Sequence, residues 1–247
     1  MKNKSSYLYA IRYLFVSLSA CALILILGLY FCNTLQKKDE KSKSVSINDC
    51  AVTYVIDAGH GGEDAGAIAN DGTLEKDLNL EIAFLLKDIL ELNGSNVKMT
   101  RSTDTLLYDY YGDLDNYKGQ KKVYDLKNRL KIANEFENSV YVGIHMNKFP
   151  SSKYKGLQVY YSPNTEKSAE IASAIKDNTR LYLQKDNRRE TKKADSSIYI
   201  LNNAQCPAVL VECGFLSNEE ELRNLKSKDY QVRLSLTLFC SLIENEN

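Results

Sequence analysis

This chain of 247 residues contains two histidines, and each follows an apolar run. His60 lies in the stretch VIDAGHGGEDAG, Val55–Gly66, and His145 ends the run VYVGIH that starts at Val140. In open α/β sheets, sites form outside the carboxyl ends of the strands. If both runs are parallel strands, the two imidazoles converge on one sheet edge. Two carboxylates occupy comparable places. Glu75 opens a helical stretch after Asn70-Asp71-Gly72-Thr73, and Glu212 closes the apolar stretch Ala208–Val211. A glutamate within such a run is costly to bury unpaired, so it is expected at the strand's carboxyl end, facing a cleft. Two histidines and a carboxylate with an open position for water form a catalytic zinc site, and a further carboxylate that is not a ligand can act as general base. His60, Glu75, His145 and Glu212 supply that set, without an HExxH helix. Plainer readings stand beside it: a strand-end histidine can be a surface or capping residue. Glu75 also suits the dipole of a helix capped by Thr73.

The elements that must position these residues follow from apolar spacing. Val52–Ile56, Asn96–Thr100, Val140–Ile144, Leu157–Tyr161 and Ala208–Val211 read as strands. In Glu75–Leu92 the residues Leu78, Ile82, Leu85, Leu86 and Ile89 share one helical face, and Gly94 is a stop signal. Val123–Phe136, Glu166–Leu183, Glu219–Leu225 and Tyr230–Ile243 complete the helices. Strands alternating with long helices predict an α/β domain built on a mainly parallel sheet. Ser102–Gln120 is one long irregular stretch carrying Tyr108, Tyr110, Tyr111 and Tyr117. Its tyrosines could stack on sugars or bind a partner, or the loop could fold back on its own surface.

Composition narrows the class. With 44% hydrophobic and 26% charged residues and a formal net charge of zero, the chain is ordinary globular material. No basic stripe or nucleic-acid motif is present, so no nucleic-acid partner is expected. Residues 1–35 differ: Tyr13–Cys32 runs for twenty residues without a charge, enough to cross ~30 Å of hydrocarbon as a helix. We read residues 1–35 as a transmembrane segment or signal anchor, residues 36–50 as a polar linker, and residues 51–247 as the catalytic domain. A cleaved signal peptide, and a lipid-modified Cys21 after LSA, are the alternatives. Lys2, Lys4 and Arg12 precede the span and Lys37, Lys38, Lys41 and Lys43 follow it, which by charge slightly favours a domain on the inside. The six cysteines form no CxxC pair. They read as buried or unpaired thiols, with a Cys206–Cys213 disulfide as the alternative.

Taken in order, VIDAGHGGEDAGA, GTLEKDLNLEIA, KMTRSTD, LKNRLKIANE, YVGIHMN and PAVLVECGFLSNEEE resemble the zinc-dependent N-acetylmuramoyl-L-alanine amidases of the amidase-3 group. The resemblance runs from about Val52 to Ile243. The apolar N-terminal segment and the insert after TRSTD are similar to the germination-specific, spore-cortex branch of spore-forming Gram-positive bacteria. The resemblance implies a twisted six-stranded α/β sheet flanked by helices. It also implies one Zn2+ ion on His60, Glu75 and His145, with Glu212 as the catalytic residue. The implied reaction hydrolyses the amide joining the lactyl group of N-acetylmuramic acid to L-alanine of the stem peptide. In the cortex branch this prepares muramic-δ-lactam. Asp57 is expected to orient His60 through its second ring nitrogen, and Asn147 and Arg101 to contact substrate or support the ligands. The implied partners are peptidoglycan, the membrane through the N-terminal segment, and an accessory sporulation lipoprotein. Because peptidoglycan lies outside the membrane, the domain is expected to be exported and to face the wall or the space around the forespore. A vegetative autolysin and a catalytically silent wall-binding module are the rival readings.

Overall fold

The computed structural model describes residues 52–112 and 120–245. The expected membrane segment (1–35) and linker (36–50) lie outside the described residues. Among those described, no helix is long and apolar enough to cross a membrane. The elements follow in the order β1 (Thr53–Ala58), α1 (Glu75–Leu92), β2 (Asn96–Met99), α2 (Lys121–Ala133), β3 (Ser139–Asn147), β4 (Gln158–Tyr161), α3 (Glu166–Asn178), β5 (Lys192–Lys193), α4 (Tyr199–Asn203), β6 (Ala208–Phe215), α5 (Glu219–Lys226) and α6 (Lys228–Ile243). They build a six-stranded sheet in the order β2-β1-β3-β6-β4-β5. β2, β1, β3 and β6 are parallel, and β4 runs antiparallel to β6. The sheet is therefore mixed, with its parallel half carrying the site.

The alternation of side chains along each strand sorts the core into two layers. Tyr54, Ile56, Val142, Ile144, Val209 and Val211 pack against α1, α3 and α6. On the other face Val55, Tyr141 and Ala208 pack against Ile132 of α2 and Leu201 of α4. From β1 the chain passes outward to β2, then returns across β1 to β3. That reversal is the switch point at which open α/β sheets bind ligands, and it falls between the strands carrying the two histidines.

Several elements differ from the sequence reading. β6 continues through Glu212 to Phe215, so Glu212 lies within a strand instead of at its end, paired with His145 on one side and Gln158 on the other. Backbone ladder bonds do not depend on side-chain polarity, and the apolar run ends before the strand does. β3 likewise extends to Asn147, and its register against β6 shifts between His145 and Asn147. Such irregularities bend a strand and re-aim its side chains. Helix α3 ends at Asn178 and continues as a π turn over Thr179–Leu183. The two-residue β5 and five-residue α4 carry too little periodicity to be read. Thr73 does not cap α1: the cap position is Leu74, with no side-chain cap bond, and Thr73 N donates to Asp71 Oδ1 at 3.0 Å. The described part of the tyrosine-rich loop folds back on its own surface. Leu107 is buried, Tyr111 packs on the second core layer, and Lys131 Nζ lies 3.5 Å from its ring centroid. Tyr117 lies outside the described residues. Cys206 and Cys213 are free thiols, buried in opposite core layers, which corrects the disulfide alternative.

Candidate metal and catalytic site

His60 follows β1 with φ 62°, the one non-glycine residue with positive φ among those described. A left-handed backbone at such a residue costs on the order of 1–3 kcal/mol and persists only where its surroundings enforce it. Three contacts do so here. Arg129 Nη2 donates to His60 O at 2.7 Å. Gly61 and Asp64 exchange backbone hydrogen bonds of 3.0 Å in both directions. Asp64 Oδ2 lies 2.9 Å from His60 Nδ1. A neutral His60 that donates from Nδ1 to Asp64 keeps its Nε2 lone pair free for a cation.

Nε2 faces Glu75. Glu75 Oε1 is 3.3 Å from His60 Nε2 and 3.1 Å from His145 Nδ1. The same oxygen accepts from Met146 N at 3.0 Å, and Oε2 accepts from Ala67 N at 2.7 Å. Glu75 is thus the first residue of α1 with its carboxylate turned back into the loop and across to β3. Burial pushes its pKa up, but the two imidazoles outweigh burial and hold it well below the usual carboxylate range. Two glycines make room for this arrangement. A Cβ on Gly59 would stand 2.2 Å from His145 Cε1, and one on Gly66 would stand 2.6 Å from Glu75 Oε2 and 2.7 Å from His60 Cδ2.

His60, Glu75 and His145 each offer a ligand atom, and these atoms lie within 4.8 Å of one another. Two imidazole nitrogens and one carboxylate oxygen are the donor set of a catalytic zinc ion, so these residues fit that metal. Glu212 is the next acid. It stands opposite His145 on β6 and lines the same cavity as that histidine. Its Oε2 is buried without a hydrogen-bond partner. Burial raises its pKa to about 7, with the Glu75 charge pushing the same way and the two histidines opposing. An acid poised there can accept a proton and return it near neutral pH.

The remaining expected residues take other roles. Asp57 does not contact His60. Its carboxylate accepts from Thr100 Oγ1 (2.5 Å), Arg129 Nη1 (2.5 Å) and Tyr141 OH (2.6 Å) in a fully buried cluster. The residue that orients His60 is Asp64, four positions on, where a side chain returning through the Gly61-Gly62 turn meets the ring. Arg101 is buried and its guanidinium is spent on the carbonyls of Ala58, Gly59, Lys76 and Thr103. It braces the loop from behind and does not face the ligand cluster. Asn147 ends β3, opposite Phe215 and two residues past His145. Sequence reasoning assigned no role to Arg129, although it sits in the quoted stretch LKNRLKIANE. Its fork joins Asp57, Asp125 and the carbonyls of Ala58 and His60. An arginine at a core-facing helical position was the signal available.

Residues 55–241 match the family described as N-acetylmuramoyl-L-alanine amidase. The chain belongs to this family and is an N-acetylmuramoyl-L-alanine amidase. The amidase is 35% identical over 190 residues to the germination-specific N-acetylmuramoyl-L-alanine amidase of Bacillus subtilis, a match covering 76% of this chain and 77% of that one. Its fold matches the CwlD amidase from Clostridioides difficile, solved in complex with the GerS lipoprotein. There the TM-score is 0.73 at 37% identity, covering 78% of this chain and 98% of that one. The amidase AmiC2 of Nostoc punctiforme matches with a TM-score of 0.66 at 28% identity, covering 78% of this chain and 96% of that one. The amidase thus belongs to a family of peptidoglycan hydrolases and is similar to a germination-specific member of it.

Proposed function

We propose that the amidase is a zinc enzyme of spore-cortex peptidoglycan that strips stem peptides from N-acetylmuramic acid, so that muramic-δ-lactam can form for germination. The observation that carries the reading is the convergence of His60, Glu75 and His145 beside the unpartnered carboxylate of Glu212. A zinc ion held by the three would supply a Lewis acid for the lactyl carbonyl and lower the pKa of the attacking water. Glu212 takes the proton from that water and delivers it to the departing amine of L-alanine. Asp64 holds the His60 ring, and Arg129 holds the His60 backbone, so the first imidazole is in place before substrate arrives.

The similarity to the germination-specific amidase of Bacillus subtilis supports the cortex as substrate. The GerS complex of the Clostridioides difficile relative supports an accessory lipoprotein partner. A peptidoglycan substrate requires export of residues 51–247, with residues 1–35 as anchor. The lysines after the span do not prevent this, because large domains translocate largely regardless of charge. The test combines zinc analysis of the detergent-solubilised full chain with product analysis on cortex sacculi, with and without the lipoprotein. One zinc per chain and release of stem peptides bearing a free L-alanine amine are expected. A chain that takes up no zinc and releases no stem peptide under either condition overturns the proposal.

A further inference from the structure

A second cavity opens at the sheet edge that carries the metal cluster. It measures about 510 Å3 and lies where the loop before β4, the segment after the π turn and helix α5 meet. Five cations line it: Lys153, Lys155, Lys185, Arg188 and Arg189. None of them forms an ion pair with an acid among the described residues. Of the acids on its wall, Glu221 is spent on the backbone, accepting from Gly156 N at 2.7 Å and from Phe215 N at 2.8 Å. With Asp186 and Glu220 counted, the lining still carries an excess of positive charge, in a chain whose formal net charge is zero.

Strand register relates this cavity to Glu212. Gln158 stands directly opposite Glu212 across the β4–β6 pair, so the two side chains leave the same face of the sheet. Arg189 Nη1 donates to Gln158 Oε1 at 3.2 Å. Its Cζ lies 4.5 Å from the ring of Phe215, three residues beyond Glu212 on β6. Arg189 thus joins the neighbours of Glu212 to the cavity that it lines. Three residues of strand span about 10 Å, and an extended stem tetrapeptide reaches about 13–14 Å. In the proposed reaction, on which this inference rests, Glu212 protonates the leaving amine, so the peptide lies on the Glu212 side. The cavity then falls within reach of its third and fourth residues. Free carboxylates lie there, one at the C-terminus and one on a diaminodicarboxylic third residue. The glycan carries no charge while its lactyl group is held in the amide. We propose that this basic cavity is the subsite for the distal end of the stem peptide and binds its carboxylates. The enzyme then favours stem peptides with free distal acids over those capped there as carboxamides.

The probe is the free tetrapeptide L-alanyl-γ-D-glutamyl-diaminopimelyl-D-alanine. Its counterparts carry a carboxamide at the second residue, at the third, at the C-terminus, or at both distal positions. Calorimetry measures each against the zinc-loaded full chain at low salt. The free acid is expected to bind about tenfold more tightly than the peptide capped at both distal positions, about 1.4 kcal/mol, which two exposed ion pairs can supply. Either single distal cap is expected to lose part of that preference, and capping the second residue to leave binding unchanged. Lys155→Glu combined with Arg188→Glu should abolish the preference, whereas Lys155→Arg combined with Arg188→Lys should keep it. Both side chains are exposed, so these variants are expected to fold as the wild type does. Equal binding of the free and doubly capped peptides, no binding of any peptide, a preference set at the second residue, or one that survives charge reversal would overturn the assignment. Release of stem peptides from sacculi is measured on the same samples. Release without distal discrimination overturns the cavity assignment alone, whereas discrimination without release overturns the amidase mechanism and leaves the cavity standing.

Discussion

Glu212 and the cluster beside it have separable functions. Glutamine at 212 keeps the shape of the side chain but cannot take a proton. Glu212→Gln is expected to retain full zinc content while kcat falls about 10³-fold, within the range of a lost general base. Loss of zinc together with activity would place Glu212 among the ligands instead. Arg129 is the opposite case, since it touches no reacting group. Arg129→Met would leave Asp57 and Asp125 buried without their counter-charge. Breaking a buried pair in this way costs about 3–5 kcal/mol, measurable as a lower urea midpoint. It also frees the His60 carbonyl, so zinc affinity is expected to drop even below the denaturation threshold. Unchanged affinity in the folded variant would show that the left-handed His60 backbone holds without it.

The element that matters most is the loop joining β1 to α1. It brings a strand-end histidine and a helix-start glutamate to one point, and it can do so because Gly59 and Gly66 leave space where side chains would collide with the ligands. Gly59→Ala puts a methyl group into the His145 ring. It is expected to weaken zinc binding at least tenfold, read by chelator competition, while far-ultraviolet circular dichroism stays that of wild type. Equal zinc affinity in this variant would mean that the ring swings aside at no cost. The loop is braced from outside by Lys76, which donates to Gly62 O and Asp104 Oδ2, while Gly62 N donates to Asp104 Oδ1. A helix, a strand end and a distant loop thus converge on one turn.

At the scale of the whole molecule, metal and pH act on stability through the same architecture. A zinc ion held by His60, Glu75 and His145 in the folded chain and not in the unfolded one would, at a hundred times its dissociation constant, add about 2.7 kcal/mol. Chelation is expected to lower Tm by several degrees, given the ~2–4 °C per kcal/mol typical of domains this size. A Tm indifferent to chelator would contradict a preformed site. The Asp57 cluster sets an acid limit. Burial raises the Asp57 pKa, but Arg129, Thr100 and Tyr141 outweigh burial and hold it below 3.8. Its stabilising contribution is therefore complete above the unfolded value and is lost as pH falls through the lower folded value. Urea midpoints are expected to fall below about pH 4, and Asp57→Asn, weaker at neutral pH, should flatten part of that decline.

The sequence by itself determined the alternation of strands and helices and singled out His60, Glu75, His145 and Glu212 as candidates, because hydrophobic spacing and residue chemistry are local properties of the chain. Glu75–Leu92 was legible to the residue, since its apolar face and stop signal lie in one continuous stretch. Only the tertiary structure decided which second residue supports which ligand. Asp57 is three residues from His60 and seemed its natural partner. However, β1 carries its side chain into the layer beneath, where Thr100 and Arg129 from other elements claim it, and the glycine turn returns Asp64 to the ring instead. The extension of β6 through Glu212, the short β5, and the joining of Arg129 to the His60 carbonyl are equally invisible in sequence. Each depends on ladder bonds or on side chains brought together from tens of residues apart, and pattern along the chain carries no record of those meetings.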